Sequence, residues 1–487
     1  MNSISEITKK ASIAFEQYAF TTAFQRANFL ETIASNIEVL GDTLLEQAHK
    51  ETNLPLVRLQ GERARTCFQL RMFATMLKEG HYVEASIDTA IPSKTPPKPD
   101  IRKMLHPIGP VVVFGASNFP FAYSTAGGDT ASALAVGCPV IVKAHPAHLA
   151  TSTLVADAIV QAAETTKMPK DIFQHITLTS FEIGKALVQD ENVYAVGFTG
   201  SRNGGRALLD YASARKNPIP VFAEMGSVNP VILLQEALEK NAQNIAKNYA
   251  GSITLGMGQF CTNPGILVGV KSEALTNFSN ILATEMNAFA ASAMLHSGIE
   301  ESYLKNTAHA LAQKGVQCLT SKKPSANNNC AVLTTVDAAT FLSNPDLAEE
   351  VFGPYSILIQ CENVEELKKV WKNLKGQIST TIMGTDKDID AATDLLNMSL
   401  SIAGRIVING VPTGVEVCDS MVHGGPYPAS TDSRFTAVGV QAAKRWLRPI
   451  SFQNWPVHLL PAALQNHNPL GIWRNINGAL SKNEINA

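Results

Sequence analysis

The stretch PVVVFGASNFPFAYSTAGGDTASALAVGCPVIVKAHPAH, residues 110–148, decides how the chain folds. PVVVFG and PVIVKA are short apolar runs rich in β-branched residues, and between them TAGGDTASALAVG reads as a helix. Buried strands joined through helices run parallel, with helices covering both faces of the sheet. The pattern repeats downstream. HLATSTLVADAIVQAAE (148–164) is helical, and HITLT (175–179), YAVGFTG (194–200) and PVFAEMG (220–226) are further strands. The expected fold class is α/β, with a doubly wound parallel sheet of the nucleotide-binding kind.

A second alternating region begins near residue 226. ALEKNAQNIAKNYAGSITLG (237–256) looks helical and GILVGV (265–270) looks like a strand; two helices then precede the strands SILIQ, STTIMG and GRIVING. Upstream, residues 1–80 read as helices. Leu30, Ile33, Ile37 and Leu40 form one buried stripe, and Ala64, Cys67, Leu70, Phe73 and Leu77 form another. SIDTAIPSKTPPKPD (86–100) carries four prolines, which remove backbone donors and mark a connector or edge segment. From about 449 the chain mixes aromatics, prolines and amides without clear periodicity.

The 487 residues suffice for two or three packed domains, and an apolar share of 45% is that of a globular protein. Forty basic against 42 acidic side chains leave a charge of −2, so nucleic acid is not an expected partner. No apolar run has the length of a membrane span, and the N-terminus lacks a secretory core. The seven cysteines are scattered, with no CxxC pair or Cys/His cluster to suggest zinc or a disulfide framework. A cytoplasmic, metal-free protein is expected.

Several strand ends carry chemistry. In GMGQFCTNPG (256–265) Cys261 sits in a glycine-punctuated polar loop, an odd place for a residue that usually behaves as a core hydrophobe. In VGFTGSRNGGRALLDYA (196–212) Gly200 permits a turn, Ser201 is an N-cap and Gly205 lets the first helical turn pack closely; such a helix start can hold a phosphate or simply join strand to helix. Lys143 ends a strand where α/β sheets bind ligands, and could reach a ribose or phosphate or snorkel at the surface. Glu224, directly after a strand, would enter a crevice where desolvation raises its pKa toward that of a useful base. Asn118 could donate to a developing oxyanion. In EEVFGP (349–354) Glu350 could bind a ribose diol while Phe352 supports a flat ring.

Taken in order, SNFP, VIVKA, GFTGS, EMGSVNP, GQFCTNPG and EEVFGP resemble the successive motifs of the aldehyde dehydrogenase superfamily over residues 100–440. The resemblance implies an oxyanion asparagine at Asn118, a cofactor lysine at Lys143, a phosphate-turn serine at Ser201, a general base at Glu224, a nucleophile at Cys261 and a ribose-binding carboxylate at Glu350. Phe352 takes the aromatic position beside the cofactor. MVHGGPYPAST and the stretch 114–148 look most like the branch of α-ketoglutaric semialdehyde and NADP-linked fatty aldehyde dehydrogenases. The implied reaction is NAD⁺- or NADP⁺-dependent oxidation of an aldehyde to a carboxylate, with 2,5-dioxopentanoate the first-choice substrate and a fatty or other apolar aldehyde the second. A non-redox cysteine hydrolase, which would need a histidine beside Cys261, and a non-catalytic scaffold are the competing classes.

Two departures stand out. Glu224-Met225-Gly226-Ser227-Val228 replaces the common Glu-Leu-Gly-Gly-Lys, and Pro146 stands where NAD-preferring relatives often carry a glutamate, so NADP⁺ should be tolerated. The implied domains are 1–225 with 425–448 for the cofactor and 226–424 for catalysis. Residues 86–108 and 449–487 would form oligomerisation segments of a homodimer or homotetramer. An oxo-acid substrate also needs a cation, for which Arg434 in STDSRFT is the guess. Nearby N–H dipoles or the cofactor's positive ring should raise the thiolate fraction of Cys261. The other cysteines are expected to be structural.

Overall fold

The computed structural model describes residues 3–326 and 328–485; positions 1, 2, 486 and 487, the extreme ends of the segments expected at 1–225 and 449–487, lie outside them. Four helices open the chain: Ile4–Tyr18, Ala23–Val39, Gly41–Thr52 and Leu56–Glu79. Ser3 with Glu6, and Thr22 with Gln25, close reciprocal capping boxes on the first two. Leu30, Ile33 and Ile37 pack with Cys67, Leu70, Phe73 and Leu77 in one core. Ala64 is exposed instead, because at 3.6 residues per turn it falls on the far side of its helix from that stripe. Leu40 ends its helix and is only partly buried.

The first sheet has five parallel strands in the order Phe173–Ile176, Val140–Lys143, Val111–Phe114, Ala195–Thr199, Val221–Glu224. The winding direction reverses between Val111–Phe114 and Ala195–Thr199, and a crevice opens at the carboxyl ends of strands at such a switch point. The helix joining Val111–Phe114 to Val140–Lys143 is Gly128–Val136, shorter than its sequence pattern.

The second sheet has seven strands: Gln317–Cys318, Val332–Asp337, Tyr355–Cys361, Ile266–Val270, Val231–Leu233, Gln377–Met383 and Ala403–Ile408. All neighbours are parallel except the first pair. The third sheet gathers Leu447–Gln453, Ile101–Pro107, Ser86–Asp88, Arg474–Ile476 and Ala479–Ser481, so the proline-rich stretch and the C-terminal region join one structure.

The first two sheets are tied by short crossings. Residues 225–230 carry the chain from Glu224 directly to Val231. On the return, Met225 N–H donates to the Ala429 carbonyl (2.8 Å) and Thr431 N–H to that of Ala223 (3.1 Å). Trp446, at the end of the turn of helix Val440–Trp446, is buried against Phe222 and donates its indole N–H to Ser132 Oγ (2.8 Å).

Candidate active site

The carboxyl ends of the first sheet face one edge. Phe114 pairs in register with both Lys143 and Phe198, and Thr199 pairs with Glu224. Asn118, Lys143, Ser201 and Glu224 therefore lie at or just beyond that edge.

Cys261 approaches the same edge from the loop after helix Gln235–Thr254. Gly256, Met257 and Gly258 all adopt left-handed backbone, with φ of 54°, 60° and 63°. A Cβ on Gly258 would lie 2.2 Å from the Gly353 carbonyl oxygen, so no other residue fits. Beneath the loop, buried Asn229 donates Nδ2–H to the carbonyls of Cys261 (2.8 Å) and Asn263 (2.9 Å). This clamp leaves Cys261 half-buried.

The residue the sequence reading lacks is His423. Its imidazole is fully buried, with Nε2 3.5 Å from Cys261 Sγ and 3.0 Å from Glu224 Oε1. The chain gets there because Gly425 presses on the second sheet: a Cβ on it would fall 2.0 Å from the Gln377 carbonyl oxygen. The backbone of His423 is fixed on both sides, its N–H donating to Thr436 Oγ1 (2.9 Å) and its carbonyl accepting from Ala437 N–H (2.8 Å). The signal was present in MVHGGPYPAST, a histidine followed by a glycine pair, but 162 residues separate it from Cys261.

The fold brings to Cys261 the histidine that the hydrolase reading would need, in a Glu224–Cys261–His423 group whose ligand atoms lie within 4.8 Å of one another, and it corrects two expectations. Glu224 is not raised. Burial pushes its carboxyl up, but the charge of His423, with contacts from His423 and Cys261, outweighs burial and holds it below the ordinary carboxylate value. Nor is Cys261 poised as a thiolate. Burial, then the charges of Glu224 and Glu350, hold its thiol well above the usual range, against the opposing pull of its own backbone N–H. The free chain thus holds a thiol and an ionised carboxylate.

Asn118 lies against the cysteine loop. One Nδ2–H donates to the Gln259 carbonyl (3.1 Å), and the amide's second hydrogen has no acceptor among the described residues. Ser201 accepts from Gly204 N–H (3.2 Å) at the start of helix Arg202–Ser213, and Gly205 packs so near Met225 that a Cβ would meet its Sδ at 2.7 Å. Gly200 has ordinary backbone; its lack of a side chain makes room for the Phe198 ring, 2.6 Å from where a Cβ would stand. Lys143 is half-buried, has no acidic partner among the described residues, and is held below the usual ammonium value by burial. Glu350 and Phe352 line a narrow crevice with Ser227 and Asn263, beside the cysteine loop. Burial pushes the Glu350 carboxyl up to about 7.

Two expectations fall outside this cluster. Arg434 is exposed and paired with Asp432 (Nε to Oδ1, 2.9 Å), so its charge is spent at the surface. Cys418 is exposed rather than packed.

Comparisons with known proteins show the family of the chain. The sequence profile of the Aldehyde dehydrogenase family matches residues 2–435. An α-ketoglutaric semialdehyde dehydrogenase of Azospirillum brasilense is 47% identical over 95% of this chain and 88% of its own length. An enzyme of the same name from Acinetobacter baylyi is 45% identical over 99% and 92%. Among solved structures, a glyceraldehyde-3-phosphate dehydrogenase of Methanocaldococcus jannaschii, solved with NADP, superposes with a TM-score of 0.76 at 20% identity, covering 92% of this chain and 93% of that one. With its profile matched across most of its length and the expected α/β architecture in place, this chain belongs to the aldehyde dehydrogenase family, whose members oxidise aldehydes with NAD or NADP.

Proposed function

We propose that the chain oxidises 2,5-dioxopentanoate to 2-oxoglutarate: aldehyde, water and NAD(P)⁺ give carboxylate, NAD(P)H and two protons. The likeness that carries this reading is to two relatives named for that semialdehyde, at 47% and 45% identity over nearly the whole chain.

Cys261 is the nucleophile. Glu224, ionised and in contact with the thiol, can take its proton and pass it to solvent, while His423 Nε2, 3.0 Å from Oε1, steadies the carboxylate. The thiolate adds to the aldehyde carbon, and Asn118 and the Cys261 backbone N–H hold the oxyanion. The nicotinamide, when bound, supplies the acceptor for the hydride that this tetrahedral carbon gives up. A thioester on Cys261 remains. Glu224, kept ionised by His423, then takes a proton from water for deacylation. For the cofactor, the unpaired ammonium of Lys143 and the start of helix Arg202–Ser213, with Gly200, Ser201 and Gly205, suit anionic phosphates, and Glu350 with Phe352 suits a ribose and a ring. NADP⁺ is accepted because Pro146 brings no negative charge to the adenosine side.

The substrate's own carboxylate needs a cation other than Arg434, and Arg405 is the one we assign. Among the described residues its half-buried guanidinium donates only to the carbonyls of Pro412 and Gly414, and it feels the charge of Cys261. Residues 1–225 with 425–448 form the cofactor unit and 226–424 the catalytic one. Residues 86–108 and 449–487 join copies of a dimer or tetramer, in a cytoplasm that keeps all seven cysteines reduced. No helix among the described residues is long and apolar enough to cross a membrane.

The test is kcat/KM for 2,5-dioxopentanoate against hexanal with each cofactor. The semialdehyde should lead, and Arg405→Met should raise its KM at least about tenfold, as losing a charged contact would, while sparing hexanal. A clear preference for hexanal would reject the assigned substrate.

A further inference from the structure

Cys261 Sγ, His423 Nε2 and a Glu224 carboxylate oxygen all lie within 4.8 Å of one another. Two edges of this triangle measure 3.5 Å (S···N) and 3.0 Å (N···O). Tetrahedral zinc, with Zn–S ~2.3 Å and Zn–N or Zn–O ~2.0–2.1 Å, requires S···N edges of ~3.6 Å and N···O edges of ~3.3 Å. Two edges are therefore close to those of a zinc tetrahedron, and the third is no longer than 4.8 Å.

A second observation points the same way. Both oxygens of Glu224 and the Nδ1 of His423 are buried without a well-aligned hydrogen-bond partner. Such atoms are costly to leave alone, and a cation at the centre of the triangle would satisfy the carboxylate directly. The other histidine group, His145, His148 and His296, offers no comparable place. Its ring centroids stand 5.6 and 6.0 Å apart, His148 Nε2 is bound to the Ala116 carbonyl, and His145 Nδ1 accepts from Ala147 N–H.

We propose that Glu224, Cys261 and His423 form a reversible capture site for a soft divalent cation, zinc foremost, that disarms the nucleophile. The metal takes the sulfur, the imidazole nitrogen and a carboxylate oxygen, with water in the fourth position. The S–H bond and the Nε2–H bond of the imidazolium break, S–Zn and N–Zn bonds form, and both protons pass to solvent, with no change of oxidation state. Magnesium and calcium, which prefer oxygen ligands, are not held. While the metal is bound, the sulfur pair that would attack a carbonyl is shared with zinc, so the enzyme is silent but protected from alkylation and oxidation.

The experiment uses the full-length protein, stripped with a chelator, and cobalt(II) as the optical probe. Cobalt should produce a thiolate charge-transfer band that saturates at one equivalent and is abolished by zinc. Zinc should shield Cys261 from iodoacetamide, mapped by peptide mass, while exposed Cys418 is alkylated as before; chelator should reverse both effects. His423→Ala and, as an independent variant, Glu224→Gln should each weaken cobalt binding by ~100-fold or more, since even an outer partner of a ligand is worth ~10–100-fold. Absence of the charge-transfer band overturns the proposal, as does unchanged affinity in both variants or protection of Cys418 in place of Cys261. No aldehyde or cofactor enters these measurements, so their failure leaves the aldehyde reading standing, and the failure of that reading leaves them valid.

Discussion

At the scale of single residues, the catalytic reading turns on one imidazole nitrogen shared between a thiol and a carboxylate. Glu224→Gln keeps the shape but removes the charge that activates water. It should therefore release one rapid equivalent of NAD(P)H and then turn over slowly, by ~10²–10⁴-fold, the usual worth of a general base, as stopped-flow absorbance would report. An unchanged steady-state rate would reject that role. The same charge governs the thiol. Because burial and Glu224 raise the Cys261 value, the sulfur is protonated at pH 7 and its thiolate grows only as pH climbs. Iodoacetamide should accordingly modify Cys261 in the cofactor-free enzyme more slowly than free cysteine at pH 8, and Glu224→Gln should shift the whole rate profile to lower pH. The sequence reading named the thiol, the carboxylate and the asparagine because each sits in its own short motif. It could not supply His423, since proximity across 162 residues is a property of packing. It also misjudged the acidities of Cys261 and Glu224 for the same reason: burial and the Glu224 charge raise the thiol, while His423 and Cys261 outweigh burial at the carboxylate.

Among the elements, legibility followed burial. The strands Val111–Phe114, Val140–Lys143 and Ile266–Val270 are buried over most of their length and advertise themselves as apolar runs. Val231–Leu233 is equally buried but only three residues long, too brief for any period to register. Leu447–Gln453 shows no fully buried position, so its strand character is written in its pairing with Ile101–Pro107 rather than in its composition. The crossing that bears His423 was the hardest to foresee, because what fixes it is the absence of side chains. Gly425→Ala would drive a methyl group into the Gln377 carbonyl, 2.0 Å away, and could be relieved only by lifting the His423 segment. We expect kcat to fall by more than about tenfold with far-ultraviolet circular dichroism retained, since small-to-large changes in tight packing typically cost ~1–3 kcal/mol. Wild-type kcat in that variant would show the segment to be slack.

For the molecule as a whole, the third sheet stands apart from the chemistry. Its strands come from positions as distant as Ser86–Asp88 and Ala479–Ser481, and it shelters Val83, Ile87, Leu460 and Leu464 in a small core of its own. Trp455 and Trp473 are half exposed near it. Removing residues 449–487 should strip that core and convert the proposed dimer or tetramer to monomer or aggregate, read by light scattering on a sizing column; an unaltered assembly would reject this region as the joint.

The six-residue passage 225–230 between the two large sheets carries one more consequence. A tether this brief, at most ~20 Å when fully drawn out, leaves little freedom for the halves to slide. Whatever breathing admits a dinucleotide must pivot near it, and a lever travels least at its fulcrum. A hinge there would let the cleft's outer rim gape while Glu224, the last residue before the passage, hardly stirs.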